Sequence, residues 1–222
     1  MDGVRAVLFD LDGTLLDSIP AYFDLMASML DAVGLPQAPR EKVAEFMASG
    51  TSILEKMIPE REMYRKDELI KELLSVGRAK SLDIFKDEVK VVPGADKSLK
   101  HLRDLGIALG IVTTTQRKYL EKKLFALRRE GLADFFKVMV ATEDAPRVKP
   151  APDPLLEGAR RIGMPPSVCV YVGDSHVDIR AGHAAGMKTI GVLTGIDSRG
   201  TLEKEGANLI VESISELTKH FN

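Results

Sequence analysis

Six short apolar runs, most of them rich in β-branched residues, recur along the chain with helical patterns between them. The first covers residues 4–9 and ends at Asp10. Runs of this length and continuity are typical of strands buried on both faces of a parallel sheet. The later runs cover residues 107–112, 138–140, 168–172, 189–193 and, more weakly, 209–211.

The intervals between these runs carry apolar residues at helical spacing. Leu120, Leu124 and Leu127, for example, fall on one face of a helix. Because strands that alternate with helices form parallel βαβ units, we predict an α/β fold, with a parallel sheet and helices on both of its faces. The predicted helices cover residues 95–105, 117–127, 154–162, 178–185 and 214–220.

The interval 17–92 does not fit this alternation. It is far longer than the roughly 10–12 residues that a βαβ crossover needs, and it contains no convincing strand. Its helical patterns cover residues 22–33, 41–47, 53–58 and 68–82. We therefore predict a core domain formed by 1–16 and 93–222, with 17–92 inserted as a small helical domain. The alternative is that these helices pack on the sheet without forming a separate domain.

Composition excludes several classes of function. The 222 residues carry a formal net charge of −2, so neither a nucleic-acid groove nor a basic membrane patch is indicated. No stretch approaches the roughly 18 apolar residues of a membrane helix, and no signal peptide is evident. The one cysteine, Cys169, fits a buried strand position and a reducing compartment. We expect a cytoplasmic protein.

Polar side chains follow four of the predicted strands. Ligands bind at the carboxyl ends of strands in open parallel sheets, so we expect these residues to meet in one site. Each of them alone also has an ordinary structural interpretation, such as a turn, a helix cap or an exposed loop lysine, and their shared location favours a site. They are Asp10 and Asp12 after the first run, Thr113, Thr114 and Thr115 after the second, Lys149 beyond the third, and Asp174 and Ser175 after the fourth, with Asp178 one helical turn further on.

These residue types suit phosphoryl transfer. Asp10, Asp12 and Asp174 would repel one another at one point unless a hard cation such as Mg²⁺ were bound there. One carboxylate can attack phosphorus, and a second can protonate the leaving oxygen and later activate water. The hydroxyl of Thr113 and the ammonium of Lys149 would bind phosphate oxygens. Asp178 and Ser175 are expected to support these residues without binding the ion or the phosphate directly, and Asp178 is expected to be hydrogen-bonded to the 173–175 loop.

The motif at residues 7–18, Val-Leu-Phe-Asp-Leu-Asp-Gly-Thr-Leu-Leu-Asp-Ser, resembles the first signature of haloacid dehalogenase-type phosphatases. Thr113 resembles their second signature, Lys149-Pro150 the third and residues 173–178 the fourth. The run 181–187 is similar to the phosphoglycolate phosphatase-like subgroup. Thr114 departs from the family pattern, which usually has Asn there.

The resemblance implies a Rossmann-like core with an inserted helical cap. It also implies Asp10 as the nucleophile and Asp12 as the general acid and base. Thr113 and Lys149 would be phosphate ligands, and we predict that Thr114 also contacts the phosphate. Mg²⁺ would be held by Asp10, by the backbone carbonyl of Asp12 and by Asp174.

The function that we predict is Mg²⁺-dependent hydrolysis of a small phosphomonoester, phosphoglycolate-like, through an aspartyl-phosphate. The partner would be a small phosphorylated substrate, and the protein a monomer or homodimer. One alternative is a β-phosphoglucomutase-like phosphomutase, whose cap residues facing the site would include Lys42, Lys56 and the segment 49–52. Others are a phosphonoacetaldehyde hydrolase, with Lys42 or Lys56 forming a Schiff base, and a binding protein without activity.

Four further residues are expected outside the site. His176 is expected to face solvent. The lysines 118, 122 and 123 are expected to form a solvated helix face.

Overall fold

A six-stranded parallel sheet forms the centre of the protein. A computed structural model describes residues 1, 3–39, 42–43, 53–87 and 89–222. The strands in chain order are β1 (Ala6–Phe9), β2 (Leu16–Asp17), β3 (Lys90–Val91), β4 (Ala108–Val112), β5 (Phe136–Val140), β6 (Cys169–Gly173), β7 (Lys188–Val192) and β8 (Leu209–Val211). The order across the sheet is β5-β4-β1-β6-β7-β8, and every pairing is parallel.

The alternation of side chains along β1 shows that both faces of the sheet are covered. Val7 and Phe9 belong to one buried apolar cluster, whereas Ala6 and Leu8 belong to a second cluster on the other face. The described helices are α1 (Ile19–Ala32), α2 (Ile53–Met57), α3 (Lys66–Asp87), α4 (Ala95–Asp104), α5 (Arg117–Lys123), α6 (Phe125–Arg129), α7 (Asp153–Ile162), α8 (His176–Ala184) and α9 (Arg199–Lys204). This arrangement confirms the predicted α/β class.

Two helix predictions differ from the structure. The helix predicted over 117–127 is divided at Leu124, where ψ is −8° and the last turn of α5 tightens before α6 begins. The predicted C-terminal helix is a 3₁₀ helix over Ile214–Lys219, whose N-cap Ser213 accepts a hydrogen bond from the backbone N–H of Ser215. Shorter 3₁₀ turns cover Glu60–Arg65, Ala133–Phe135, Thr142–Asp144 and Pro166–Val168.

The inserted interval begins and ends in a two-stranded ribbon. β2 pairs antiparallel with β3, and Leu16 lies opposite Val91. Our expectation of no strand in this interval was wrong at β3, because a two-residue strand is too short to show alternation. Within the insertion α1 packs against α3. Most of the pattern at 41–47 and the whole of 49–52 lie outside the described residues, and the domain boundaries at 16/17 and 92/93 stay a prediction.

The apolar interior is continuous between the sheet and the insertion. Leu25 and Met29 of α1 and Leu73 of α3 belong to the same buried cluster as Phe9 and Val7 of the central strand. The helices of the insertion therefore pack above the end of the sheet at which Asp10 lies. None of the described helices is both long and apolar enough to cross a membrane.

Candidate active site

The strand ends bring three carboxylates together. Asp10 follows β1, and Asp174 follows the neighbouring strand β6. Asp178 lies in the first turn of α8. One carboxylate oxygen from each of the three lies within 4.8 Å of the others, and all three side chains are buried. Asp10 and Asp174 therefore lie close enough together to contact one cation.

Burial without a cation makes this cluster electrostatically unfavourable. Burial raises the pKa of Asp10 to about 7, and the neighbouring Asp178 adds to this effect, although Lys149 opposes it. Burial, followed by Asp178 and Asp10, also raises the pKa of Asp174 well above its usual range. Buried hard oxygen donors that repel one another are a donor set that fits Mg²⁺.

Two glycines leave room for Asp174. A Cβ at Gly13 would lie 2.6 Å from Oδ2 of Asp174, and one at Gly195 would lie only 1.8 Å from that atom. Gly13 also has a φ of +77°, a conformation that glycine adopts without strain. The backbone N–H of Ile196 donates to Asp174 Oδ2 at 2.9 Å, and the Thr14 hydroxyl donates to Oδ1 at 3.3 Å. The position of Asp174 is therefore fixed by both contact and hydrogen bonding.

Lys149 lies against the carboxylate cluster. Its Nζ donates to Asp10 Oδ1 and to Asp178 Oδ1, at 2.7 Å in each case, and to the hydroxyl of Tyr171 at 2.8 Å. Burial alone would lower the pKa of Lys149, but Asp10 and Asp178 outweigh that effect and raise it well above its usual range. Lys149 is therefore a fixed ammonium beside Asp10.

Sequence analysis did not identify Tyr171 as part of the site. It lies in β6 and is fully buried, and its hydroxyl donates to the Val112 carbonyl at 2.9 Å while accepting from Lys149. Tyr171 is difficult to identify as a site residue from the sequence, because an aromatic residue within an apolar run ordinarily belongs to the core. A tyrosine that is buried does, however, need a partner for its hydroxyl.

Ser175 and Asp178 form a capping box at the start of α8. The Ser175 hydroxyl donates to Asp178 Oδ2 at 2.6 Å, and the Ser175 backbone N–H donates to the same oxygen at 3.1 Å. Asp178 is thus hydrogen-bonded to the loop after β6, as its spacing indicated. Its other oxygen contacts Lys149, so this one side chain connects the loop to the ammonium.

The carboxylate of Asp12 lies apart from the buried cluster and contacts a separate set of groups. Oδ1 accepts from the Ser18 hydroxyl at 2.8 Å, and Oδ2 accepts from the Thr115 hydroxyl at 3.3 Å. Oδ2 is also ion-paired with Lys123. The side chain of Asp12 is 18% exposed, and it faces a cavity rather than the protein interior.

The prediction that Lys123 belongs to a solvated helix face was wrong. Its side chain is 9% exposed, and its Nζ contacts Asp12, the Tyr22 hydroxyl and the Thr115 hydroxyl. The burial of Lys123 could have been predicted from the sequence. Lys123 follows Leu120 by three residues, so it falls on the apolar face of its helix. Lys118 and Lys122 are exposed, as expected.

The threonines after β4 differ in their placement. Thr113 is buried, and its Oγ1 accepts from the backbone N–H of Thr115 at 3.1 Å. Thr115, whose role was left open, contacts Asp12, whereas Thr114 is exposed and lines the cavity. His176 is only partly exposed, and its Nδ1 lies 2.8 Å from Asp197 Oδ2. It is therefore paired, and does not simply face solvent.

A cavity of about 530 Å³ lies between the sheet edge and the insertion. The core contributes Asp12, the loop after β4 and one side of α5, whereas α1 and α3 contribute the opposite wall. The described lining residues are Asp12, Tyr22, Leu25, Met29, Leu74, Gly77, Arg78, Ser81, Thr114, Thr115, Gln116, Lys118, Tyr119, Lys122 and Lys123. Lys42 and Lys56 are exposed, and neither is among these residues.

Comparison with known proteins identifies the family. The model for haloacid dehalogenase-like hydrolases matches residues 7–192, which include every strand-end residue described above. The chain belongs to this family. Phosphoglycolate phosphatase from Escherichia coli K12 is 32% identical over 235 residues, covering 97% of this chain and 92% of that protein. Phosphoglycolate phosphatase from Neisseria meningitidis is 31% identical, covering 98% and 93%. The chain is a hydrolase of the phosphatase class within this family.

Solved structures agree on the fold. A protein described as a predicted phosphoglycolate phosphatase from Haemophilus somnus superimposes with a TM-score of 0.86, at 24% identity, over 100% of both chains. A candidate beta-phosphoglucomutase from Thermotoga maritima gives a TM-score of 0.72, at 25% identity, over 98% of both chains. The shared fold covers the insertion as well as the sheet.

Proposed function

We propose that this phosphatase hydrolyses a small phosphomonoester, phosphoglycolate-like, through an aspartyl-phosphate on Asp10, with Mg²⁺ as its cofactor. The observation that carries the proposal is the position of Asp10. It lies within 4.8 Å of Asp174 and is hydrogen-bonded to Lys149, and Asp12 stands two residues away at the adjoining cavity. The phosphoglycolate phosphatases among its relatives support the choice of substrate class.

Asp10 is the proposed nucleophile. A carboxylate oxygen forms a bond to phosphorus as the bond from phosphorus to the leaving oxygen breaks, and water later releases phosphate from the acyl phosphate. Lys149 holds Asp10 in one orientation and offers positive charge to the equatorial phosphate oxygens. Tyr171 in turn fixes the position of Lys149.

Asp10, Asp174 and the backbone carbonyl of Asp12 are the groups that we propose to hold Mg²⁺. When bound, the ion would supply positive charge that offsets the clustered carboxylates and the phosphate. Asp178 stands behind this set, since both of its oxygens are already hydrogen-bonded to Lys149, Ser175 or Tyr171.

Asp12 is the proposed general acid and base. Its carboxylate faces the cavity, where a leaving group would lie, and the hydroxyls of Ser18 and Thr115 fix its orientation. It would give its proton to the leaving oxygen in the first step and take one from water in the second. Thr113 and Thr114 are proposed to contact the phosphate, Thr113 from its buried position and Thr114 from the cavity wall.

A phosphomutase is the second candidate, because the chain resembles a candidate beta-phosphoglucomutase along nearly its whole length. That reaction would use the same Asp10 and Asp12 but return the phosphoryl group to the sugar. Incubation with β-glucose 1-phosphate and a trace of the bisphosphate separates the two: a mutase forms glucose 6-phosphate, whereas a hydrolase releases inorganic phosphate.

The proposal is tested by phosphate release from p-nitrophenyl phosphate and 2-phosphoglycolate, with Mg²⁺ and with EDTA. We expect activity only with Mg²⁺. Asp10→Asn should abolish turnover, and Asp12→Asn should reduce kcat by about 10²-fold or more, the scale of lost acid–base catalysis. Asp31→Asn makes the same charge change at an exposed residue of α1 and should retain full activity. Activity that survives in Asp10→Asn would refute the mechanism.

A further inference from the structure

The described lining of the cavity beside Asp12 is strongly basic. Four cationic side chains, Arg78, Lys118, Lys122 and Lys123, are among its described lining residues, and Asp12 is the one acidic residue among them. Three of these cations come from the core helix α5, and Arg78 comes from α3 on the opposite wall. A concave surface with this excess of positive charge favours a negatively charged ligand.

Lys123 differs from the other three cations in its burial. Arg78, Lys118 and Lys122 are exposed, whereas the Lys123 side chain is 9% exposed. Its ammonium lines the cavity, and its contacts among the described residues include oxygen atoms of Asp12, Tyr22 and Thr115. A buried lysine ordinarily needs an anionic partner, and Asp12 supplies one, so a charged ammonium is held beside the place where a leaving group would lie.

The position of Lys123 relative to Asp12 defines which part of a substrate it would meet. The acid must approach the leaving oxygen within about 3 Å, and Lys123 Nζ is in turn within hydrogen-bonding distance of that acid. Nζ is therefore expected within roughly 6 Å of the leaving oxygen. A substituent on the carbon attached to that oxygen would come within its reach.

The second residue at this point comes from the insertion. The Tyr22 hydroxyl, carried by α1, contacts Lys123 Nζ, and its ring also lies over that ammonium, with Nζ 5.0 Å from the ring centroid. A hydroxyl can donate a hydrogen bond to an anion that the ammonium attracts. Core and insertion thus each contribute one group to the same small volume.

We propose that Lys123 and Tyr22 form a subsite for a carboxylate on the leaving group, attached to the carbon next to the ester oxygen. The inference rests on the proposed function and deepens it, because it makes these two residues responsible for selecting an anionic leaving group over a neutral one. Leu25, Met29 and Leu74, which line the same cavity, offer apolar contact rather than charge.

The test compares two substrates of nearly equal shape, 2-phosphoglycolate and its neutral amide, 2-phosphoglycolamide, with Mg²⁺. We expect the wild-type kcat/KM to favour the carboxylate by about 10- to 100-fold, the scale of a charge-assisted hydrogen bond. Lys123→Met should reduce this preference to within about threefold, and Tyr22→Phe should reduce it by a smaller factor. The ratio is insensitive to any loss that both substrates share, such as a displaced Asp12.

The control is Lys97→Met, which removes an equal charge from an exposed position of α4 and should keep the wild-type preference. If Lys123→Met does not fold, calorimetry on the Asp10→Asn chain, with Lys123 intact, measures the affinities of the two compounds directly. Adding Tyr22→Phe to the Asp10→Asn protein should reduce the ratio of its affinities for 2-phosphoglycolate and 2-phosphoglycolamide.

Equal wild-type use of both compounds, with Mg²⁺-dependent and Asp10-dependent hydrolysis intact, would overturn this subsite and leave the proposed function standing. A preference that Lys123→Met retains, or a fall in both activities with the ratio unchanged, would also overturn it. Absence of Asp10-dependent hydrolysis with any phosphomonoester would instead refute the proposed function, and the subsite with it.

Discussion

Substitution of Gly195 by alanine is a direct test of how Asp174 is held. An added Cβ would lie 1.8 Å from Oδ2 and 2.2 Å from Cγ of Asp174. Non-bonded heavy atoms ordinarily stay about 3.5 Å apart, so the carboxylate must move by more than about 1 Å. That movement would break its hydrogen bond from the backbone N–H of Ile196, now 2.9 Å long, and take it away from Asp10.

The size of the effect follows from the same contacts. Extra volume in a closely packed site typically costs about 1–3 kcal/mol of stability, and we expect Gly195→Ala to fall in that range. A reacting group displaced by about 1 Å can lose about 10²-fold in rate, so kcat/KM should fall by that order. The Mg²⁺ concentration that gives half-maximal activity should rise by about 10- to 100-fold, as for other displaced metal-site groups.

The assay is phosphate release as a function of Mg²⁺ concentration, together with urea denaturation. Gly200→Ala is the matched control, since the nearest atom to a Cβ there is Ser198 Oγ at 4.0 Å, and Gly200 lies in α9. Alanine there should be neutral or stabilise the helix by up to about 1 kcal/mol, with unchanged activity. A Gly195→Ala protein with the wild-type Mg²⁺ dependence and kcat/KM would refute our account of Asp174.

Two further outcomes are expected. Tyr171→Phe removes one hydrogen bond to the Val112 carbonyl and one from Lys149. Urea denaturation should therefore show a free energy of unfolding that is lower by about 2–4 kcal/mol. The control Tyr64→Phe changes a residue that is 83% exposed and should leave the free energy of unfolding unchanged. In metal-free protein the native pKa of Asp10, about 7, is above its ordinary value of 3.8, so native protein binds more protons than unfolded protein between these values. Asp10 should therefore make the free energy of unfolding fall as pH rises from about 4 to about 7. Asp10→Asn should remove this part of the pH dependence of the free energy of unfolding. The same pH dependence in both proteins would contradict the raised pKa of Asp10.

The meeting of Asp10 and Asp174 could be predicted from the sequence, because strand-end residues of a parallel sheet lie at one edge for a geometric reason. Because residues 4–9 and 168–172 were both predicted to be buried strands of one parallel sheet, Asp10 and Asp174 were expected at the same edge; only the structure shows that the two strands are neighbours. The capping contact of Asp178 with Ser175 was similarly local, because a helix N-terminus needs partners for its free N–H groups.

The residues that were missed depend on contacts distant in sequence. Tyr171 and Val112 are 59 residues apart, and Lys123 and Tyr22 are 101 apart. Helical spacing places Lys123 on the apolar face of its helix, but only the fold shows that Asp12 lies close enough to form an ion pair with it. The same limit applies to β3, whose two residues form a strand only because β2 lies beside them.

The paired strands β2 and β3 have a consequence for how such a protein can change. The chain leaves the core and returns to it at directly opposed residues, which in antiparallel strands are only about 5 Å apart. A segment whose two ends lie at that spacing, and which covers the apolar surface that Leu25 and Met29 now cover, could be inserted between β2 and β3 without a change in strand order. Ser18, which contacts Asp12, lies just inside this interval. A chimaera that keeps residues 1–18 and 90–222 around a foreign insert should therefore retain the Asp10 chemistry while acquiring a new choice of ester.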